Sequence, residues 1–180
     1  MSELDFKVMA FFFKIRDFFR PRRDIVKEVG LKEGFRVLDF GCGPGGYVSA
    51  VAELIGQSGK IFALDINPFA IQMVKKLAVK KELSNVQTIL SDCETGLPDE
   101  SIDVVLLYDA FHDFANPNAV LEELHRVLKA NGVLSFSDHH LEEKEIMSKI
   151  TEAGLFKLWS KGKRTYSFVK ISPDKMDHSN

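Results

Sequence analysis

Cysteine is scarce in this 180-residue chain: only Cys42 and Cys93 occur, far apart and without C-x-x-C spacing. That excludes a disulfide framework, offers no zinc motif, and makes a reducing, cytoplasmic setting the simplest expectation. Long apolar runs are missing as well. Val8 to Phe13 is cut off by Lys14 and is too short for a membrane span or a signal-peptide core. Nor is there a basic excess. The net charge of -2 argues against a general nucleic-acid binder, which carries surplus cations on one face. Internal repeats and low-complexity linkers are also absent. What remains is 45% hydrophobic and 28% charged residues, an ordinary globular balance at a length that fills one domain.

From Arg36 onward, strand-like and helix-like patterns alternate. Arg36–Phe40 reads as a short buried strand stopped by glycines, and Tyr47–Ile55 carries apolar residues at helical spacing up to Gly56. Lys60–Asp65 is a second strand, and Asn67-Pro68 caps a helix running to about Glu82. Val86–Leu90 and Asp103–Tyr108 are the third and fourth strands. Asn116-Pro117 repeats the cap signature, and the pattern predicts that Asn131-Gly132 ends that helix before a fifth strand, Val133–Ser137. A helix over about Leu141–Ala153 precedes two strand-like runs, Leu155–Ser160 and Thr165–Lys170, whose short basic link around Gly162 forces an antiparallel hairpin. The fold expected is α/β: a doubly wound, mostly parallel seven-stranded sheet with an antiparallel strand from the C-terminal hairpin. Residues 1–30 are expected to form an amphipathic helical segment, 31–171 the sheet domain and 172–180 a flexible tail.

The most informative stretch is Val37-Leu38-Asp39-Phe40-Gly41-Cys42-Gly43-Pro44-Gly45-Gly46-Tyr47, where a strand runs into a glycine-rich turn that opens a helix. Such a turn lets a ligand lie on bare backbone beyond the carboxyl ends of the strands. Gly41, Gly43 and Gly46 also satisfy the dinucleotide pattern G-x-G-x-x-G, with Asp65 at a plausible distance for a ribose-binding acid. Three features favour another ligand. Asp39 stands two residues before the first glycine, where an acid suits an ammonium and a sulfonium rather than a pyrophosphate. The third strand ends in Ser91-Asp92-Cys93, a further polar group at the same crevice, and no second domain is expected that could hold a hydride donor's substrate.

At these residues the sequence resembles the seven-stranded S-adenosylmethionine-dependent methyltransferases, over roughly Leu31 to Lys170. Asp39–Gly45 looks like their first motif, Leu64-Asp65-Ile66 their ribose motif and Ser91-Asp92-Cys93 their adenine motif. Leu97–Asp103 and Leu124–Gly132 resemble the branch that includes ubiquinone/menaquinone-biosynthesis C-methyltransferases, although Ala130-Asn131-Gly132 replaces the familiar Lys-Pro-Gly-Gly. The resemblance implies a Rossmann-like fold and S-adenosylmethionine as cofactor, with S-adenosylhomocysteine as product. It implies that Asp65 accepts from both ribose hydroxyls while Ile66 packs on adenine. Asp92 would accept from the adenine amino group, with the Cys93 backbone at the ring edge. Asp39 and the Gly41, Cys42, Gly43 and Gly45 backbone would hold the methionine moiety, with Tyr108 bordering the site. For Asp65 and Asp92 the alternative is strand-end solvation or helix capping.

A methyl on sulfonium is already activated, so alignment can supply most of the acceleration, and a base is needed only when the acceptor must lose a proton. His112, just after the fourth strand, is the candidate; the alternative is a loop histidine with a shape role. Asp138, His139 and His140 line the neighbouring rim and could bind a metal with Asp113 or His112, but their spacing is not diagnostic, and no metal is expected. The segment after the fourth strand is not the Asn/Asp-Pro-Pro-aromatic type of nucleobase amino methylation, and no cysteine there could attack a pyrimidine. A relative that methylates arsenic would be richer in cysteine. The expected partner is thus a small-molecule methyl acceptor and not nucleic acid. A nicotinamide-dependent oxidoreductase and a non-catalytic nucleoside-binding module are the alternatives. Val8, Phe11, Phe12, Ile15, Phe18 and Phe19 fall on one helical face among basic residues. That segment is expected to pack on the domain or a homodimer partner, to close over the cofactor, or to touch a membrane surface peripherally.

Overall fold

The computed structural model of the protein describes residues 22–171. The expectations for the aromatic face of the amino-terminal segment, and for the tail from 172, lie outside the described residues. A short helix α1 (Arg22–Lys27) is followed by β1 (Arg36–Phe40), α2 (Val48–Ile55), β2 (Lys60–Asp65), α3 (Pro68–Lys80) and β3 (Val86–Leu90). Then come β4 (Ile102–Tyr108), a 3-10 turn (Phe111–Asp113), α4 (Pro117–Val127), β5 (Leu128–Ser137), α5 (Glu143–Thr151), β6 (Phe156–Lys161) and β7 (Tyr166–Lys170). The strands form one seven-stranded sheet in the order β3-β2-β1-β4-β5-β7-β6. β7 runs antiparallel to both its neighbours, and the remaining pairs are parallel. Chain order therefore reverses between β1 and β4, which opens a crevice beyond the carboxyl ends of those strands.

The two-residue period of a strand explains both cores. Leu38, Phe40, Phe62, Leu64, Val105 and Leu107 point to one face, where α4 covers them with Val120, Leu121, Leu124 and Val127. Their chain neighbours Val37, Ile61, Ala63, Val104 and Leu106 point to the other, beneath Val48, Val51 and Ile55 of α2 and Val74 of α3. Each large side chain so buried contributes roughly 1.5–3 kcal/mol. Val26 of α1 is wholly buried in this second core, so the described part of the amino-terminal segment is packed into the domain.

Asn67 Oδ1 accepts from the Phe69 N–H at 2.9 Å and Asn116 Oδ1 from the Ala119 N–H at 3.2 Å, with proline at the helix start in each case. The other end of α4 departs from the sequence pattern. Leu128 already has extended backbone (φ -72°, ψ 133°), and Asn131 is not among the positive-φ residues, so Asn131-Gly132 does not cap the helix. Leu128 is instead captured by pairing with Ile102, and the register jumps to Val104 opposite Val133. The surplus residues form an irregularity within β5, tied down by Lys129 Nζ on Asp103 Oδ1 at 2.6 Å. Strand pairing has overridden a local cap signal. Among the described residues, no helix is long and apolar enough to cross a membrane.

Candidate cofactor cavity and its rim

The ends of β1, β2, β3 and β4 surround a cavity of about 680 Å³, with Gly41, Cys42, Gly43, Asp65, Ile66, Asp92, Cys93 and Tyr108 on its wall. The glycine loop makes the floor. Gly41, Gly43 and Gly45 all have positive φ (77°, 52° and 83°). At Gly41 a Cβ would lie 2.6 Å from Ala110 Cβ, so β1 and the segment after β4 approach too closely for a side chain. Gly45 serves packing instead: its Cβ would meet Val74 Cγ2 at 3.0 Å, and it does not line the cavity.

Asp65 fastens this loop to β2. Its Oδ2 accepts from the Gly43 N–H and its Oδ1 from the Asn67 N–H, both at 2.8 Å. Burial pushes its carboxyl up, partly offset by those two hydrogen bonds. Each oxygen retains a lone-pair direction for a further donor. Next to it Ile66 is 68% exposed, an apolar side chain presented to the cavity. Asp92 is exposed on the same wall, and the Cys93 N–H donates to Ser91 Oγ at 3.3 Å.

Asp39 lies behind the wall, 2% exposed, and its Oδ2 has no hydrogen-bond partner. Burial pushes its carboxyl up to about 7, opposed by the Arg22 guanidinium and reinforced by Asp65. Arg22 itself lines the cavity, 4.5 Å from the centre of the Tyr47 ring. Burial, and then the charges of Asp39 and Asp65, push the Cys42 thiol up, which makes it a poor nucleophile. Tyr108 stacks edge-on against Tyr47 and shares a 2.7 Å hydrogen bond with Ser135; burial raises its phenol, so it is not a base.

His112 does not line the cavity. Its Nδ1 lies 2.8 Å from Asp138 Oδ2, and its backbone N–H donates to the same oxygen at 3.3 Å. Burial alone would raise Asp138, but the hydrogen bonds from His112 and the His140 N–H hold it below the usual carboxylate range. Alongside, His139 Nδ1 lies 2.8 Å from Asp109 Oδ1.

A family model described as a methyltransferase domain matches residues 31–175. The chain belongs to that family. The methyltransferase domain is 28% identical to a demethylmenaquinone methyltransferase of Geobacillus stearothermophilus over 113 residues, 62% of this chain and 48% of the relative. It is 27% identical to the ubiquinone/menaquinone biosynthesis C-methyltransferase UbiE of Shewanella putrefaciens over 142 residues, 78% of this chain and 57% of that one. The chain thus spans about half the length of the curated relatives it matches. Among solved structures, a SAM-dependent methyltransferase from Aquifex aeolicus superposes with a TM-score of 0.75 at 27% identity, covering 84% of this chain and 90% of that one. The Haloferax volcanii complex of the Trm112 methyltransferase activator with a putative methyltransferase matches at 0.73 and 19% identity, covering 91% and 80%, and supports the fold alone.

Of the residues singled out in sequence, the methyltransferase fold gathers Gly41, Cys42, Gly43, Asp65, Ile66, Asp92, Cys93 and Tyr108 on one cavity, with Asp39 just behind. It leaves Gly45 and His112 off the wall. Sequence reasoning missed Arg22, Asp109 and Phe114, which also line the cavity. Arg22 looked like one more cation of the amino-terminal segment, and nothing in the local pattern marks it. Asp109 could have been suspected only as a polar residue directly after a buried strand.

Proposed function

We propose that this methyltransferase domain binds S-adenosylmethionine in the cavity and methylates a small aromatic acceptor of the quinol type. The observation that carries the cofactor assignment is the buried, unpartnered Oδ2 of Asp39 beside the glycine loop. A buried carboxylate oxygen without a donor is costly, and an ammonium group is the donor that suits it best. Asp65 has room to accept from two ribose hydroxyls while keeping its backbone hydrogen bonds, and Ile66 offers an apolar platform for adenine. Asp92 is free to accept from the adenine amino group. When bound, the cofactor supplies a methyl group on a positive sulfur.

The chain's own residues orient rather than react. Phe40, Phe114 and Val120 form an apolar wall that suits a flat ring, and orientation against a fixed methyl can supply much of the acceleration. Cys42 and Tyr108 keep their protons. His112 positions the loop after β4 through its two hydrogen bonds to Asp138. The acceptor class follows the names of the quinone-methylating relatives, and this apolar wall supports it. Its test is release of S-adenosylhomocysteine on incubation with a panel of reduced quinones and simple phenols. Turnover on a reduced quinone is expected; turnover confined to amines would displace this acceptor class while leaving the cofactor assignment standing.

A further inference from the structure

We propose that Asp109, Asp138 and His139 form a binding site for a divalent transition-metal ion at the acceptor rim of the cavity. One candidate ligand atom from each of the three lies within 4.8 Å of the others. His139 Nδ1 and Asp109 Oδ1 are 2.8 Å apart. That is close to the roughly 3 Å edge between adjacent ligands of a metal bound at about 2.1 Å. The third ligand stands at most 4.8 Å from the other two, so a closure of about 2 Å at most, shared among the side chains, completes a facial set. The ion would take the place of the proton now shared by that pair, and its two positive charges would match the two carboxylates.

The three ligands come from the ends of two adjacent strands and are held in place before any ion arrives. The Asp109 N–H donates to the Ser137 carbonyl at 2.7 Å, which fixes its left-handed backbone (φ 52°) at the end of β4. Asp138 Oδ1 accepts from the His140 N–H at 3.0 Å, and its Oδ2 from His112. His112 thereby backs a ligating carboxylate, the kind of outer partner that orients metal ligands. Two carboxylates and an imidazole suit manganese, iron(II), cobalt or zinc rather than calcium. Asp109 also lines the cavity, so an ion here would offer open positions to an oxygen of the acceptor; that use rests on the function proposed above, whereas ion binding does not.

The test uses the whole chain, stripped with EDTA and titrated with manganese chloride, with free Mn2+ read by its electron paramagnetic resonance signal. One ion per chain is expected. Asp109→Asn and His139→Ala should each weaken binding at least tenfold, while Glu122→Gln on the exposed side of α4 should not. Circular dichroism of each variant establishes that it is folded; Asp138 is left intact because its burial makes its substitution prone to unfold the loop. Binding indifferent to both substitutions, or no binding, overturns the site. Calorimetry with S-adenosylhomocysteine on the same samples separates the two ideas: nucleoside binding without manganese binding defeats only the metal site. Manganese binding without nucleoside binding supports the site and defeats the function proposed for the cavity.

Discussion

At the end of β1 the fold buries the Asp39 carboxyl with one oxygen unpartnered, and burial pushes it up to about 7. A cationic ligand would pair with the ionised form, so below that value binding must first remove a proton. Affinity for S-adenosylhomocysteine should therefore rise about tenfold between pH 6 and pH 8, the ratio of ionised fractions around such a midpoint. Asp39→Asn should abolish the pH dependence and weaken binding at pH 8; titration calorimetry across pH reads both. A wild-type affinity flat over this range would mean that Asp39 does not meet a charged group of the ligand. The same shift acts on stability in the opposite sense. Because the folded carboxyl is raised above its ordinary 3.8, its contribution is complete below that value and is lost as pH rises through about 7.

Between elements, β1 and the segment after β4 approach tightly at the site, where Gly41 faces Ala110. Gly41→Ala would place a Cβ 2.6 Å from Ala110 Cβ and hold alanine at φ 77°. A loss of roughly 1–3 kcal/mol is expected, or several degrees in thermal melting, together with weakened cofactor binding. Unchanged melting would show that this approach is not tight. Asn131 gives the converse case. Since β5 begins at Leu128 and Asn131 caps nothing, Asn131→Ala should stay within about 0.5 kcal/mol of wild type by chemical denaturation. A loss near 1 kcal/mol or more would restore the capping role that the sequence pattern suggests. Helix starts were readable because Asn and Pro act within one turn of themselves. The end of α4 was not, because the competing partner, Ile102, is 26 residues earlier and invisible to a local pattern.

For the molecule as a whole, the alternation of buried strands and amphipathic helices was enough to foresee a doubly wound sheet closed by an antiparallel hairpin. The acids Asp39, Asp65 and Asp92 stand out in sequence because each lies at or just beyond the end of a strand-like run. Arg22 and Asp109 do not: the first reaches the cavity only because Val26 anchors α1 in the core, and the second matters only because β4 and β5 are neighbours. Contacts made by the topology cannot be read from spacing along the chain. The central claim is that this cavity is shaped for S-adenosylmethionine and not for a dinucleotide. It is tested most directly by titration calorimetry of the full chain with S-adenosylhomocysteine, NAD and NADP in parallel. The account predicts one saturable site per chain for S-adenosylhomocysteine and no heat of binding for either dinucleotide; saturable binding of NAD or NADP with none of S-adenosylhomocysteine would contradict it.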